Sequence, residues 1–442
     1  MPSPRWSRRS LLRRTALGAA VGAAGCATLA GGSGPEPIPH EPPGPDDWPA
    51  SGYDARNTRY NADATPPRSA PETRWSREFS FCHRPVIRGT RVVVNADDAT
   101  VGLRATDGER LWESDSEPWG YETPTLGTDR AYVTGTDCAF GIELYTGEET
   151  WRGDPCHGAN TASGTLANGR LYLEYGGYFS ALDETGQVTW ASRHDAEGSP
   201  AVTEETAYVA TAFSVEAVDL TATASEWPWE DPDDDEPAHA DDDAATKWSV
   251  PPESRGALAR IYESPAVAGA TVFATTEYDN RPGGRLQALA RTDGEERWSI
   301  SSPPEHRPGD EREDAPDPVG QPVAPVVTPD LVVTSLGDRR IRAVTHDGDD
   351  EWTTTVDRDV KELVGAAETI LAVTHDRSVE TTDPGHATVT AFDLTDGAPL
   401  WERRFEDHVE GLAVAGGTVY ATAVSERRAD NDVAGERLIA LG

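Results

Sequence analysis

Hydrophobic and polar positions alternate in short runs along the chain, and one alternating phrase keeps returning. It is clearest at residues 285–298, RLQALARTDGEERW. Leu286, Ala288 and Ala290 fall on one face and Gln287 on the other, as a half-buried strand requires. Asp293-Gly294 supplies a turn, because glycine accepts positive φ without steric cost. A second short strand follows and ends on Trp298. Upstream, Ser264-Pro265-Ala266-Val267 and Val272-Phe273-Ala274 predict two further strands, giving about four per phrase.

The phrase recurs as VGLRATDGERLW ending on Trp112, GIELYTGEETW on Trp151, FSALDETGQVTW on Trp190, IRAVTHDGDDEW on Trp352 and TVTAFDLTDGAPLW on Trp401. A degraded copy, SVEAVDL at 214–220, loses its turn to an insertion and reaches its tryptophan at Trp248. Trp75 precedes the first unit, and successive tryptophans lie 37, 39, 39, 58, 50, 54 and 49 residues apart. A hairpin period of this length predicts radial repetition, since one small sheet cannot bury both its faces. After Trp401 the chain runs through Val419–Thr422 and Arg437–Gly442 and stops before any tryptophan. Thr73-Arg74-Trp75-Ser76 would supply the missing outer strand. The expected fold is therefore all-β: an eight-bladed β-propeller of four-stranded antiparallel blades, closed by the N-terminal strand so that no edge is left open. Trp75, Trp112, Trp151, Trp190, Trp248, Trp298, Trp352 and Trp401 are expected to pack blade against blade.

These tryptophan-ending repeats resemble the pyrroloquinoline-quinone-type β-propeller. The lead-in from Trp48 to Asn61, WPASGYDARNTRYN, is similar to the opening of that family. Two functional classes follow from the resemblance. The enzymatic class is a quinone-dependent dehydrogenase of small alcohols, aldehydes or sugars, using pyrroloquinoline quinone (PQQ) and Ca²⁺. Its members commonly stack the quinone between a tryptophan and a ring made by two adjacent cysteines, and hold Ca²⁺ with Glu, Asn and Asp. No two cysteines are adjacent here, there is no Cys-x-x-Cys-His, and none of the family's catalytic positions can be assigned. The other class, the reading preferred from the sequence, is a binding or scaffolding module without cofactor. It is similar to the non-catalytic propeller lipoproteins of the outer-membrane assembly factor type.

Charge narrows the partners. With 77 acidic against 39 basic residues the net charge is −38, and only Lys247 and Lys361 are lysines. Such a chain repels nucleic acid and anionic membrane at low salt. The balance resembles that of proteins from salt-accumulating archaea, where molar salt shortens the Debye length to about 3 Å and screens self-repulsion. A protein partner on one face or the loops of a monomer is expected, and contact with membrane only through an anchor.

The first residues read as an address. Ser7-Arg8-Arg9-Ser10-Leu11-Leu12-Arg13 is close to a twin-arginine export signal, with Arg8 and Arg9 as its guanidinium pair. The apolar stretch from Thr15 to Ala24 is too short to span a bilayer as an ordinary helix. Ala23-Ala24-Gly25-Cys26 is similar to a lipoprotein cleavage box, with Cys26 as acceptor. Residues 1–26 are thus expected to be signal, 27–47 a disordered tether and 48–442 the propeller, held at the extracellular face of the cytoplasmic membrane. Insertions at Ser225–Ala245, Pro303–Pro318, Asp376–His386 and Glu426–Gly435 sit between strands. The acidic triplets at 233–235 and 241–243 lack the spacing of an EF-hand loop.

Other chemistry is sparse. Without Cys26 three cysteines remain, so at most one disulfide forms within the chain. Cys82-His83 and Cys156-His157 both precede innermost strands; a tetrahedral metal site would need both pairs, and a disulfide through Cys156 is the other use. Gly-x-Ser-x-Gly, His-Glu-x-x-His and Gly-x-x-x-x-Gly-Lys are absent. Where binding would occur follows from the ring: the connection into each innermost strand must reach the channel mouth. Counting back from those strands names His83, Arg84, Glu122, Glu197, Tyr262, Glu263, Glu362 and Glu410, with Trp119 nearby. The expectation is an electronegative mouth for a cation or a basic segment, with Arg84 and Trp119 as exceptions.

Overall fold

The computed structural model describes residues 37–114, 122–135, 138–153, 163–175, 178–194, 196–222, 245–251, 264–278, 283–302, 320–375, 386–424 and 435–442. Their strands form eight blades of four antiparallel strands, numbered here from the axis outward; seven use consecutive strands, the last takes its outer strand from the N-terminal side, and one blade gains a short parallel fifth strand. Blade one begins with Val86–Arg88, blade two with Thr125–Leu126, blade three with Thr165–Ala167 and blade four with Glu197–Val202. Blades five to eight begin with Ala266–Ala268, Val326–Val327, Asp359–Ala366 and His408–Ala415. The last blade closes as the sequence requires: its outer strand is Thr73–Phe79, paired with Glu436–Leu441 so that Trp75 faces Ala440. The degraded copy is an ordinary blade, with Val215–Asp219 paired to Thr246–Val250 across the insertion.

The tryptophans show why the phrase has its form. In every blade the residue directly opposite the tryptophan is small. It is Ala440, Gly102, Gly141, Ala181, Ala217, Ala288, Ala343 or Ala391, facing Trp75, Trp112, Trp151, Trp190, Trp248, Trp298, Trp352 and Trp401. Each ring lies over that residue and reaches the turn of the next blade. There seven indole N–H groups donate to carbonyls, for instance Trp75 to Ala105 O at 2.9 Å and Trp352 to Leu394 O at 2.8 Å. Turn glycines leave the room: a Cβ on Gly147 would stand 2.7 Å from Trp112, and one on Gly397 2.4 Å from Trp352. At the seam Trp401 donates to Pro67 O, so the segment between the lead-in and the closing strand takes the place of a turn. Trp151 departs from the pattern, because the carbonyl equivalent to His346 O is Glu184 O, which accepts the Arg130 guanidinium instead. The core accordingly lies between blades; Val86 and Val93 of blade one pack with Trp112 on Leu126, Val133 and Ile142 of blade two.

The tether differs from its expectation. Residues 1–36, with Arg8, Arg9 and Cys26, lie outside the described residues, but 37–47 pack on the ring. Ile38 is 2% exposed and donates its N–H to Gly169 O at 2.8 Å. Asp47 accepts Gly89 N–H at 2.8 Å and pairs with Arg88 at 3.2 Å. Proline-rich chain has little conformational entropy to lose, so a few such contacts hold it.

Candidate functional site

One end of the channel is closed by the lead-in. Six innermost strands donate a backbone N–H from the same register position to successive lead-in carbonyls. Ile87 bonds Trp48 O, Leu126 Pro49 O, Val202 Ala55 O, Val267 Arg56 O, Val327 Thr58 O and Gly365 Arg59 O, at 2.6–3.0 Å. These N–H groups point away from the partner strand because their residues sit at non-hydrogen-bonded pairs, leaving the inner edge of each blade to be satisfied by something in the channel. Tyr60–Asn61 then adds a short parallel strand to blade seven. Local chemistry makes the coil: Asp54 Oδ1 accepts the N–H groups of Arg56 and Thr58, and Asn57 and Arg59 take φ of 54° and 52°. Asn57 Nδ2 joins two blades by donating to Ser199 O at 2.8 Å and Pro265 O at 3.2 Å. Trp48, fully buried, packs on Tyr53 with ring centroids 5.1 Å apart.

Three residues toward the open mouth, the register brings Arg84, Thr123, Ser163, Ser199, Ser264, Ala324, Glu362 and Gly411 to one level. Here Arg84 Nη2 lies 2.5 Å from Glu362 Oε1, and Arg59 Nη1, rising from the lead-in, lies 3.9 Å from the same oxygen. The other carboxylate oxygen accepts Leu412 N–H at 3.0 Å, and Arg84 also donates to Ser51 O at 3.3 Å. All three side chains are buried or nearly so, and together they carry one net positive charge. Gly411 makes the arrangement possible, since a Cβ there would stand 2.9 Å from Arg84 Cβ.

The remaining expected mouth residues are not equivalent. Glu122 is half-buried, its Oε2 3.5 Å from Ser163 Oγ, and burial raises its carboxyl to about pH 7. Glu197 starts the innermost strand of blade four, also half-buried. Glu410 leaves the ring of carboxylates: a bulge between Val409 and Gly411 turns it outward, where it is exposed and its charge acts on Cys82 and Glu436. His83 packs edge-on against Phe81 at 4.3 Å, and burial lowers its imidazole to about 4. Trp119, Tyr262 and Glu263 lie outside the described residues, as do Cys156, His157 and both acidic triplets. Cys82 is a buried free thiol, raised by burial first and Glu436 second, and Cys138 is disulfide-bonded to a partner outside the described residues. Sequence reasoning missed Asn57 and Arg59, although both stand in the lead-in it had singled out. It also missed Ser192, His194 and Glu216. Ser192 Oγ lies 2.5 Å from His194 Nδ1, and His194 Nε2 lies 3.7 Å from Glu216. Ser192 is 4% exposed, so this trio joins blades three and four and offers no accessible nucleophile.

The family model for the outer membrane protein assembly factor BamB matches residues 139–384 and 337–441. The chain belongs to that family. No curated protein sequence matches it. Solved structures share the fold. Quinohemoprotein alcohol dehydrogenase from Comamonas testosteroni aligns with a TM-score of 0.62 at 14% identity, over 90% of this chain and 80% of that one. A europium-containing methanol dehydrogenase gives 0.58 at 11% identity, over 90% and 98%. The computationally designed Ika8 protein gives 0.56 at 13%, over 86% and 99%. At these identities the likeness is one of fold alone.

The described residues of this BamB-family chain do not fit a quinone held with Ca²⁺. The buried carboxylate of the channel, Glu362, is already taken up by two guanidinium groups and a backbone N–H, and a cation there would meet two positive charges. Among the described residues no three His, Cys, Asp or Glu side chains converge as ligands.

Proposed function

We propose that this protein is an exported, lipid-anchored, non-catalytic propeller that binds protein partners on its mouth side. The observation that carries the reading is the Arg59–Glu362–Arg84 cluster, in which both guanidinium groups pair with the Glu362 carboxylate at the channel wall. With the lead-in coiled across the other end, a rigid ring is left to present connecting loops. The family's assembly-factor description supports a role in a protein complex. Arg8 and Arg9 direct export and Cys26 carries the lipid.

The test has two arms. The purified chain is titrated with PQQ, with and without Ca²⁺, and assayed by dye reduction on small alcohols, aldehydes and sugars; quinone absorbance retained by the protein together with turnover would replace this reading with the dehydrogenase. In cells, Cys26→Ser should release a folded protein from the membrane fraction, and Arg8→Lys with Arg9→Lys should retain it inside. Cross-linking from cysteines placed on the mouth side, compared with the lead-in side, should trap a membrane-associated protein from the mouth side alone.

A further inference from the structure

Two histidines meet across a blade boundary on the mouth side. His375 ends the second strand of blade seven and His408 begins the innermost strand of blade eight. Their Nδ1 atoms lie 3.1 Å apart, with ring centroids 4.7 Å apart and planes inclined at 60°. Both residues are half-buried. His375 Nε2 lies 3.0 Å from Val409 O, closer than the 3.3 Å to Val409 N. That carbonyl holds the Nε2–H tautomer, so the Nδ1 lone pair of His375 points at His408. An imidazole ligating through one nitrogen is oriented in this manner by a carbonyl at the other.

We propose that a divalent transition-metal ion binds between His375 and His408, bridging blades seven and eight. Two metal–nitrogen bonds of about 2.0–2.1 Å meeting at about 90–110° span about 2.8–3.4 Å, which brackets the observed separation. Without metal, His408 Nδ1–H donates to His375 Nδ1. With metal, both Nδ1 lone pairs ligate and the His408 proton moves to its own Nε2, so neutral rings bind without net proton release. Water completes the coordination. Imidazole pairs suit Cu²⁺ and Zn²⁺, with Cu²⁺ the tighter. Neighbouring charges include Lys361 on the innermost strand of blade seven, which repels a cation, Asp359, which stands opposite His375 and is paired with Arg339, and Asp407, which is paired with Arg437.

The chelator-stripped full chain is titrated with Cu²⁺ and with Zn²⁺ by calorimetry, and its Cu²⁺ form is examined by electron paramagnetic resonance. One site is expected, with coupling to two imidazole nitrogens and with Zn²⁺ competing. His408→Ala and His375→Ala should each weaken it by at least the roughly 10–100-fold that loss of an orienting partner costs. Lys361→Gln should tighten it, a gain that mere packing of the two rings would not give. An isotherm unchanged in His408→Ala would mean that surface carboxylates alone bind the metal. A parent spectrum without nitrogen coupling would leave a hydrogen-bonded pair only, and it decides the matter even where a variant fails to fold.

Discussion

The contact between each tryptophan and the next blade's turn can be isolated at Gly397. It has φ of 69°, and a Cβ would stand 2.4 Å from Trp352 Cε3 and 2.7 Å from Thr354 Oγ1. Trp352 cannot retreat, because Ala343 lies beneath it and its indole N–H is bonded to Leu394 O at 2.8 Å. Gly269 is the control: its φ is 53°, and a Cβ there would meet nothing within 4 Å. Gly269→Ala should cost only the left-handed backbone penalty, about 1–2 kcal/mol. Gly397→Ala adds overpacking of about 1–3 kcal/mol, for a total of about 2–5 kcal/mol. The assay is urea unfolding at fixed salt, followed by tryptophan fluorescence, with unfolding rates measured alongside. A double-mutant cycle completes it: with Trp352→Leu in place, the excess cost of Gly397→Ala should disappear. Equal costs for the two glycines, or an excess that survives loss of Trp352, would refute the account of inter-blade packing.

Other consequences are as direct. Glu362→Gln leaves two guanidinium groups without their carboxylate and should cost about 3–5 kcal/mol, whereas Glu402→Gln, which removes an exposed partner of Arg404, should cost less than about 1 kcal/mol; denaturant midpoints compare them. Glu122 has a folded-state pKa raised to about 7, so its contribution to stability is complete below the ordinary glutamate range and is lost as pH rises through 7. Glu122→Gln should therefore match the parent at pH 4 and exceed it in stability at pH 8; a pH-independent difference would contradict the burial argument. Removing residues 37–61 should accelerate hydrogen exchange at Leu126, Val202, Val267, Val327 and Gly365 while blade interiors stay protected, read by mass spectrometry.

The repeat made the ring legible because the tryptophan, the small residue opposite it and the turn glycine are one packing unit, and none of the three can drift alone. Even the degraded copy kept Ala217 against Trp248. The seam was legible for the same reason, since the chain ends one strand short. The mouth was less so. Counting back from the innermost strands names Arg84 and Glu362, which stand at one register level, and Glu410, which a bulge leaves exposed, and a bulge is a backbone event with no residue signature here. Composition misjudged 37–47 for a related reason: Ile38 and Asp47 find partners on hairpins that are remote in sequence. Partners of that kind cannot be read from spacing.

The lead-in is where fold and function meet. A propeller's innermost strands each expose one edge to the channel, and those N–H groups need acceptors. An enzyme that places a cofactor in the channel must satisfy that edge while keeping the centre vacant. Here the edge is satisfied by a peptide whose own side chain, Arg59, rises into the wall and shares Glu362 with Arg84. The positive φ at Arg59 would be unfavourable in a free chain, and it is held by the carbonyl bonded to Gly365 and by the ion pair above it. The segment that seals the ring thus also occupies the polar groups that a ligand in the channel would have used. The proposed binding role therefore assigns recognition to the connections on the mouth side rather than to the channel wall.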